Sequence, residues 1–363
     1  MKKYIFKREE VVDEYRYIFL CGSHYGHNDA NDKRNVLRKF LKEENRSYRP
    51  IILEDNFIFS KNSTRVLAYD DIHMKDLYQV EMVMNYLADN NIIIHESIST
   101  GAETGLFLSE PNAIRKTCLL IPDEMAVEES KIGAFIRLAF LGDTSMVDVI
   151  TFYPGVEKNV ISNNVKYWHT HFYENKIGAN LKNRIVNFLN RENRKFKIEF
   201  TRKKAKVDEG FVHYNIKKQR LEVTILPRVL LLCIASIFNI EELEKSIFSA
   251  GQKTLKEYIE DIRDCLLQVF INSIEEETGA DINKCSIIAK MNVSRVYISE
   301  IIGMCLYLFQ AAEFIEIKKD KDFSSNKKVS ITRKMVNVGD GVNQFFYQKY
   351  RDCIGVAVDK QVI

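Results

Sequence analysis

The run Ile92-Ile93-Ile94-His95-Glu96-Ser97-Ile98-Ser99-Thr100-Gly101-Ala102-Glu103-Thr104-Gly105-Leu106-Phe107 passes from three apolar β-branched residues, through small hydroxyl residues and a glycine, into a helix read over 102–113. A short apolar run bounded by polar residues suits a strand buried on both faces, as in a parallel sheet. The same sign recurs at Tyr17-Ile18-Phe19-Leu20, Ile51-Ile52-Leu53, Cys118-Leu119-Leu120-Ile121 and Val147-Asp148-Val149-Ile150. Helix-period stretches separate these runs, over 32–44, 74–88, 102–113 and 132–140. The alternation predicts an α/β fold, a doubly wound (flavodoxin- or Rossmann-like) parallel sheet whose ligand crevice lies at the carboxyl ends of the strands.

Further along, 174–193 reads as a helix. It leads into a basic stretch holding Arg191, Arg194, Lys195, Lys197, Arg202, Lys203, Lys204 and Lys206. From Pro227 onward the chain is almost wholly helical in period, over 230–238, 241–249, 255–277 and 284–314. Within that part, 285–291, a joint at Asn292-Val293, and 294–309 read as a helix-turn-helix, with Ser294 as a cap. Two apolar-alternating segments, 314–318 and 328–332, follow as a wing. Three segments result: 1–173 with the sheet, 174–226 as a basic connecting region, and 227–363 as a mainly helical winged-helix domain. Arg194, Lys195, Lys203, Lys204, Arg295, Lys327 and Lys328 are the candidates for phosphate-backbone contact. A solvated charged face is the competing reading of those same residues.

Composition narrows the class. The 363 residues are 46% hydrophobic and 28% charged, which fits a globular chain of about two domains. With 53 basic and 50 acidic residues the formal charge is +3, so a polycation that coats nucleic acid is excluded, although a local basic face is not. The 7 cysteines form no CxxC pair and no Cys/His quartet at zinc spacing, and several sit in apolar runs, which reads as buried reduced thiols. The first ten residues lack the apolar stretch of a signal peptide, and the longest apolar run, 225–240, is interrupted by Pro227, Arg228 and Ser236. A cytoplasmic protein is expected.

Three places just past strand ends carry the candidate chemistry. Cys21-Gly22-Ser23 opens a polar loop without the GxGxxG fingerprint or the lysine of a P-loop. Glu54-Asp55-Asn56 follows the second strand. After the third, Glu96, Ser97, Ser99, Thr100 and Gly101 are expected to shape a sugar and phosphate pocket, with Gly22 and Asp55 opposite. Glu103 falls in the first turn of the helix as read, where the dipole favours an ionised carboxylate. Such a group can attack a sugar anomeric carbon or stabilise the charge that develops there, and a cationic leaving base needs no general acid. A glutamate in a first turn also serves commonly as a dipole or capping partner. The spacings of His24, His27, His95, His169 and His171 fit no familiar metal site, and none is expected.

The strand 18–22, the Glu54-Asp55-Asn56-Phe57 turn and the stretch from Glu96 to Phe107 resemble the nucleoside deoxyribosyltransferase-like effectors of type II retron anti-phage defence systems. In the wider superfamily a glutamate followed, two positions on, by glycine is the nucleophile, and Glu103-Thr104-Gly105 matches that pattern. The resemblance implies a toxic N-glycosidase that uses no cofactor and takes NAD or a related nucleotide as substrate. It also implies partners: the retron reverse transcriptase and its msDNA (RNA-linked single-stranded DNA made on a non-coding RNA), which hold the toxin inactive until infection. Assembly into a homo-oligomer or filament is in keeping with the family. Deoxyribosyltransferases carry aspartates ahead of the glutamate, where this chain has His95-Glu96-Ser97, so hydrolysis is expected in place of base transfer. A nucleotide-sensing, DNA-binding transcriptional regulator without catalysis is the competing reading.

Overall fold

The computed structural model describes residues 2–8, 10–12, 15–22, 26, 29–56, 76–109, 111–122, 147–152, 159–162, 165–168, 171–173, 175–191, 195–202, 211–217, 220–248, 253–279, 281–282, 286–291, 296–319 and 328–357. The chain divides into two interleaved units: Glu14–Asn56 with Met84–Asn193, and Met1–Asp13 with Phe57–Val83 and Arg194–Ile363.

The first of these units is built on five strands: β1 (Arg16–Cys21), β2 (Tyr48–Ile51), β3 (Asn90–Ile94), β4 (Thr117–Pro122) and β5 (Asp148–Phe152). All four pairings are parallel, in the order β2-β1-β3-β4-β5. Pro50 lies in β2, an edge strand, where a missing N–H costs no ladder bond. The strand order reverses at β1, whose neighbours are the strand that follows it and the strand after that. A crevice forms at such a point because the two connections leave the sheet in opposite directions.

The helices are α1 (Lys33–Glu44), α2 (Leu53–Asn56), α3 (Leu77–Leu87), α4 (Ile98–Leu108), α5 (Pro111–Ile114) and α6 (Ala179–Leu189). Alternation sorts the sheet's side chains. Ile18, Leu20, Ile92, Ile94, Cys118, Leu120, Ile150 and Phe152 form one core with Leu37, Phe40 and Leu41 of α1 and Leu181, Ile185, Phe188 and Leu189 of α6. The intervening residues Tyr17, Phe19, Ile93, Leu119 and Ile121 are buried too. Among them Phe19 meets Phe107 of α4, ring centroids 5.7 Å apart. Burial of both residue sets explains why the strands read as continuous apolar runs.

The other unit mixes helices and strands. Its longest helix, Leu255–Thr278, starts at a capping box, in which Glu257 N–H donates to Thr254 Oγ1 at 3.2 Å and Thr254 N–H donates to Glu257 Oε2 at 2.7 Å. It stops at Gly279, whose φ of +64° suits a residue without a Cβ. Phe6, Phe200 and Phe270 pack against one another, and Phe238, Phe309, Phe314 and Phe346 make a second aromatic core with Tyr347. Antiparallel strands Ile315–Lys319 and Lys328–Arg333 form the hairpin expected as a wing.

Two expectations are corrected here. The stretch 285–291, read as the first helix of a helix-turn-helix, contains the strand Ser286–Met291, paired in parallel along its whole length with Arg220–Ile225. The β-branched pair Ile287-Ile288 suits a pleated surface once a partner strand offers its hydrogen bonds, and that partner lies far away in sequence. Helices still make up most of the described region from 227 onward, but six strands lie beyond residue 285, among them Met335–Gly339 and Val342–Phe345. The second correction concerns α4. It begins at Ile98, not Ala102, so Glu103 stands in the second turn rather than the first. The fourth helix expected over 132–140 lies outside the described residues.

Candidate active site

Ser97 explains the early start of α4. Its Oγ accepts from the backbone N–H of Thr100 at 3.3 Å, and Thr100 Oγ1 accepts from Ser97 N–H at 3.1 Å, a reciprocal capping box. Thr100 Oγ1 also donates to the Ser97 carbonyl at 2.8 Å. Ser99 is exposed, its hydroxyl 2.8 Å from that of Ser97. Of the hydroxyl residues expected to line a pocket, Ser97 and Thr100 are engaged in starting the helix.

Glu103 is half-buried, and its Oε2 is closed off from solvent. It lies one turn ahead of Phe107 on the same helix face, the face that meets β1. Glu103 is therefore held on the sheet side of α4, toward the helix start that follows the carboxyl end of β3. His95 continues the β3–β4 ladder by donating to Leu120 O at 2.9 Å. Its ring packs beside Gly101, where an added Cβ would lie 3.5 Å from His95 Cε1. His95 is 6% exposed, and its Nδ1 finds no hydrogen-bond partner among the described residues. Burial lowers its pKa, with the Glu96 carboxylate acting in the opposite sense.

On the other face, a cavity of about 200 Å³ opens beside the carboxyl ends of β1 and β3. It is lined by Gly22, Asp29, Asn31, Asp32, Lys33, Arg34, Ile94 and Glu96. Asp32 is the N-cap of α1: Oδ1 accepts from Arg34 N–H at 2.8 Å, and Oδ2 from Gly26 N–H at 3.0 Å. The buried Arg34 guanidinium donates to Glu54 Oε1 at 2.7 Å and lies 3.7 Å from Asp32 Oδ1. Gly22 makes room for that side chain, since a Cβ there would fall 3.1 Å from Arg34 Cδ and Nε. Lys33 Nζ stands 2.7 Å from Glu96 Oε1 and 5.9 and 5.8 Å from the ring centroids of Phe152 and Phe172.

The structure thus brings Gly22 and Glu96 to one cavity. Cys21 is the buried last residue of β1, and Asp55 pairs with Arg38. Ser99, Gly101 and Glu103 belong to α4 and do not line that cavity. Ser23, Arg194, Lys203, Lys204, Arg295 and Lys327 lie outside the described residues. Lys195 is in the strand Lys195–Lys197, and Lys328 opens the strand opposite Thr254. Asp29, Asn31, Asp32, Lys33 and Arg34 line the cavity without having been singled out from the sequence. Their signal was present: an aspartate directly before an amphipathic run, following the first strand of the sheet. Among the described residues no cluster of His, Cys, Asp and Glu could hold a metal ion, and no helix is long and apolar enough to cross a membrane.

No curated protein matches the chain. A family model described as STM3845 retron effector protein matches residues 30–316, a span that takes in α1 with its cavity-lining residues, β3, α4 with Glu103 and the sheet strand Ser286–Met291. Because that match covers most of the sequence, the chain belongs to the STM3845 retron effector protein family, and its role is that of a retron-associated effector in antiviral defence.

Proposed function

We propose that this chain is the toxic effector of its retron, an N-glycosidase that hydrolyses the N-glycosidic bond of NAD or a related nucleotide. The supporting observation is Glu103, a carboxylate on the sheet-facing side of α4 with one oxygen shielded from water. In this reading the Glu103 carboxylate attacks the anomeric carbon as the bond to the base breaks, and the bonding electron pair leaves with the base. Nicotinamide departs neutral because it is cationic while attached, so no proton need be supplied. Water then cleaves the glycosyl ester, giving back the carboxylate. Shielding from solvent strengthens the interaction of a carboxylate with developing positive charge. We read the sheet, with helices packed on both residue sets, as doubly wound. The retron's reverse transcriptase and msDNA hold the effector idle, with basic segments as their contacts. The DNA-binding regulator draws less support, because the first helix on which it rested is a strand.

The test follows NAD and nicotinamide over time in cells expressing the wild-type chain or Glu103→Gln. Loss of NAD with the wild type, slowed about 10²-fold or more by the substitution, is the expected result. Equal loss with both chains, or none with either alongside equal growth, rejects the reading.

A further inference from the structure

Glu103 does not line the cavity beside β1 and β3, so the sugar on which that carboxylate acts lies elsewhere. The cavity nevertheless abuts the helix that carries Glu103. Glu96, in its lining, and Ser97, the N-cap of α4, are consecutive residues. Both stand at the reversal of strand order, where folds of this kind lay a dinucleotide across the carboxyl ends of the strands. A ligand with two ends is thus able to set one beside Glu103 and the other in the cavity.

The surroundings sort the parts of such a ligand. The first turn of α4 holds no acidic residue, and the N–H groups of Ile98 and Ser99 meet no acceptor among the described residues, which suits the linking phosphates. The cavity has the opposite character. Asp29, Asp32 and Glu96 outnumber its two cations, Lys33 and Arg34, which are held by Glu96 and Glu54, so phosphate is repelled and hydrogen-bond donors are favoured. At its open rim stand Asp29 and Asn31, both exposed. Asp29 Oδ1 accepts from Asn31 N–H at 2.9 Å, while Asp29 Oδ2 and the Asn31 side-chain amide have no partner among the described residues. An asparagine amide pairs with adenine at two points, accepting from the 6-amino group and donating to a ring nitrogen beside it. About 200 Å³ gives room for one base, below the ~300–1,000 Å³ of pockets that enclose larger ligands.

We propose that the cavity receives the adenine end of a dinucleotide, the half that does not react, and that Asn31 reads the 6-amino group of the base. This rests on the glycosidase reading and narrows its substrate to dinucleotides with adenine at the far end. The reacting ribose lies at Glu103, the linking phosphates cross the start of α4, and the adenine reaches the other side of the sheet. Asn31 is the specificity-determining residue. Its contribution is the gain of two hydrogen bonds made together with one planar partner, so a modest preference is expected.

The experiment measures, by calorimetry on the full-length Glu103→Gln chain, the affinities of AMP, of purine riboside 5′-monophosphate and of nicotinamide mononucleotide. The purine compound differs from AMP only in lacking the 6-amino group. AMP is expected to bind about fivefold more tightly than that analogue. Adding Asn31→Ala should bring the two to within about twofold, while nicotinamide mononucleotide keeps its affinity. The ratio of AMP to its analogue is the quantity to read, since a partly unfolded variant lowers both affinities equally and leaves their ratio unchanged. No AMP binding, equal affinities for AMP and the analogue in the parent, a ratio untouched by Asn31→Ala, or an equal loss for nicotinamide mononucleotide each overturns the proposal. Turnover plays no part in this measurement. Adenine recognition through Asn31 without NAD loss in cells therefore rejects the glycosidase reading, whereas NAD loss with equal affinities for AMP and the analogue rejects the adenine subsite.

Discussion

His95 and Glu96 follow β3 as neighbours and serve opposite sides of the sheet. Glu96 joins Ile94 at the cavity, while the His95 ring turns to Gly101 on α4. Burial disfavours the imidazolium, so the folded chain resists a proton that the unfolded chain accepts. The sign follows from linkage. Above the ordinary histidine value of about 6.5 the group is neutral in both states and costs nothing. As pH falls below that value the unfolded chain gains the proton first, and stability is lost until the depressed folded pKa is reached. The urea midpoint of the wild type is expected to drop between pH 7.5 and 5.5, and that of His95→Asn to drop less. Parallel declines in the two proteins would place the acid sensitivity elsewhere.

The elements differ in how openly the sequence declares them. β1, β3 and β4 are legible because burial on both faces forces runs of apolar residues. The start of α4 is not, because its capping box uses Thr100 in place of the usual Glu or Gln, and small hydroxyl residues in series look like a loop. That shift of four residues moves Glu103 out of the first turn and removes the dipole from the account of its charge, though not the carboxylate from the sheet-facing side. The strand Ser286–Met291 was illegible for another reason: its partner, Arg220–Ile225, is set by the tertiary fold. Lys33 and Arg34 passed unnoticed as ordinary residues of an amphipathic helix, since nothing local marks them as cavity-facing. Two glycines allow a test at this scale. Gly279 has φ +64° and no atom near its absent Cβ, so Gly279→Ala should cost about 1 kcal/mol through backbone strain alone. Gly105, exposed within α4 and equally uncrowded, should give the opposite sign, with Gly105→Ala stabilising by about 0.5–1 kcal/mol in urea unfolding.

For the molecule as a whole, the restraint by retron partners proposed above carries its own test. Cells carrying the wild-type chain alone should grow slowly, and co-expression of the retron reverse transcriptase with its non-coding RNA should restore growth. Restoration by the polymerase without the RNA would show that the nucleic acid is dispensable to that restraint. The interleaving of the two units bears on when such restraint can act. The strand Tyr4–Phe6 pairs with Ile354–Val356, so a strand near position 5 is completed by one that is synthesised much later. Every segment of the sheet-bearing unit has been made by Asn193. At about 5–20 residues per second, the later strand follows roughly ten to thirty seconds afterwards. Synthesis thus delivers the whole of the carboxylate-bearing unit well before the other unit can close, and in that interval the sheet-bearing unit is the complete one that a partner could grip.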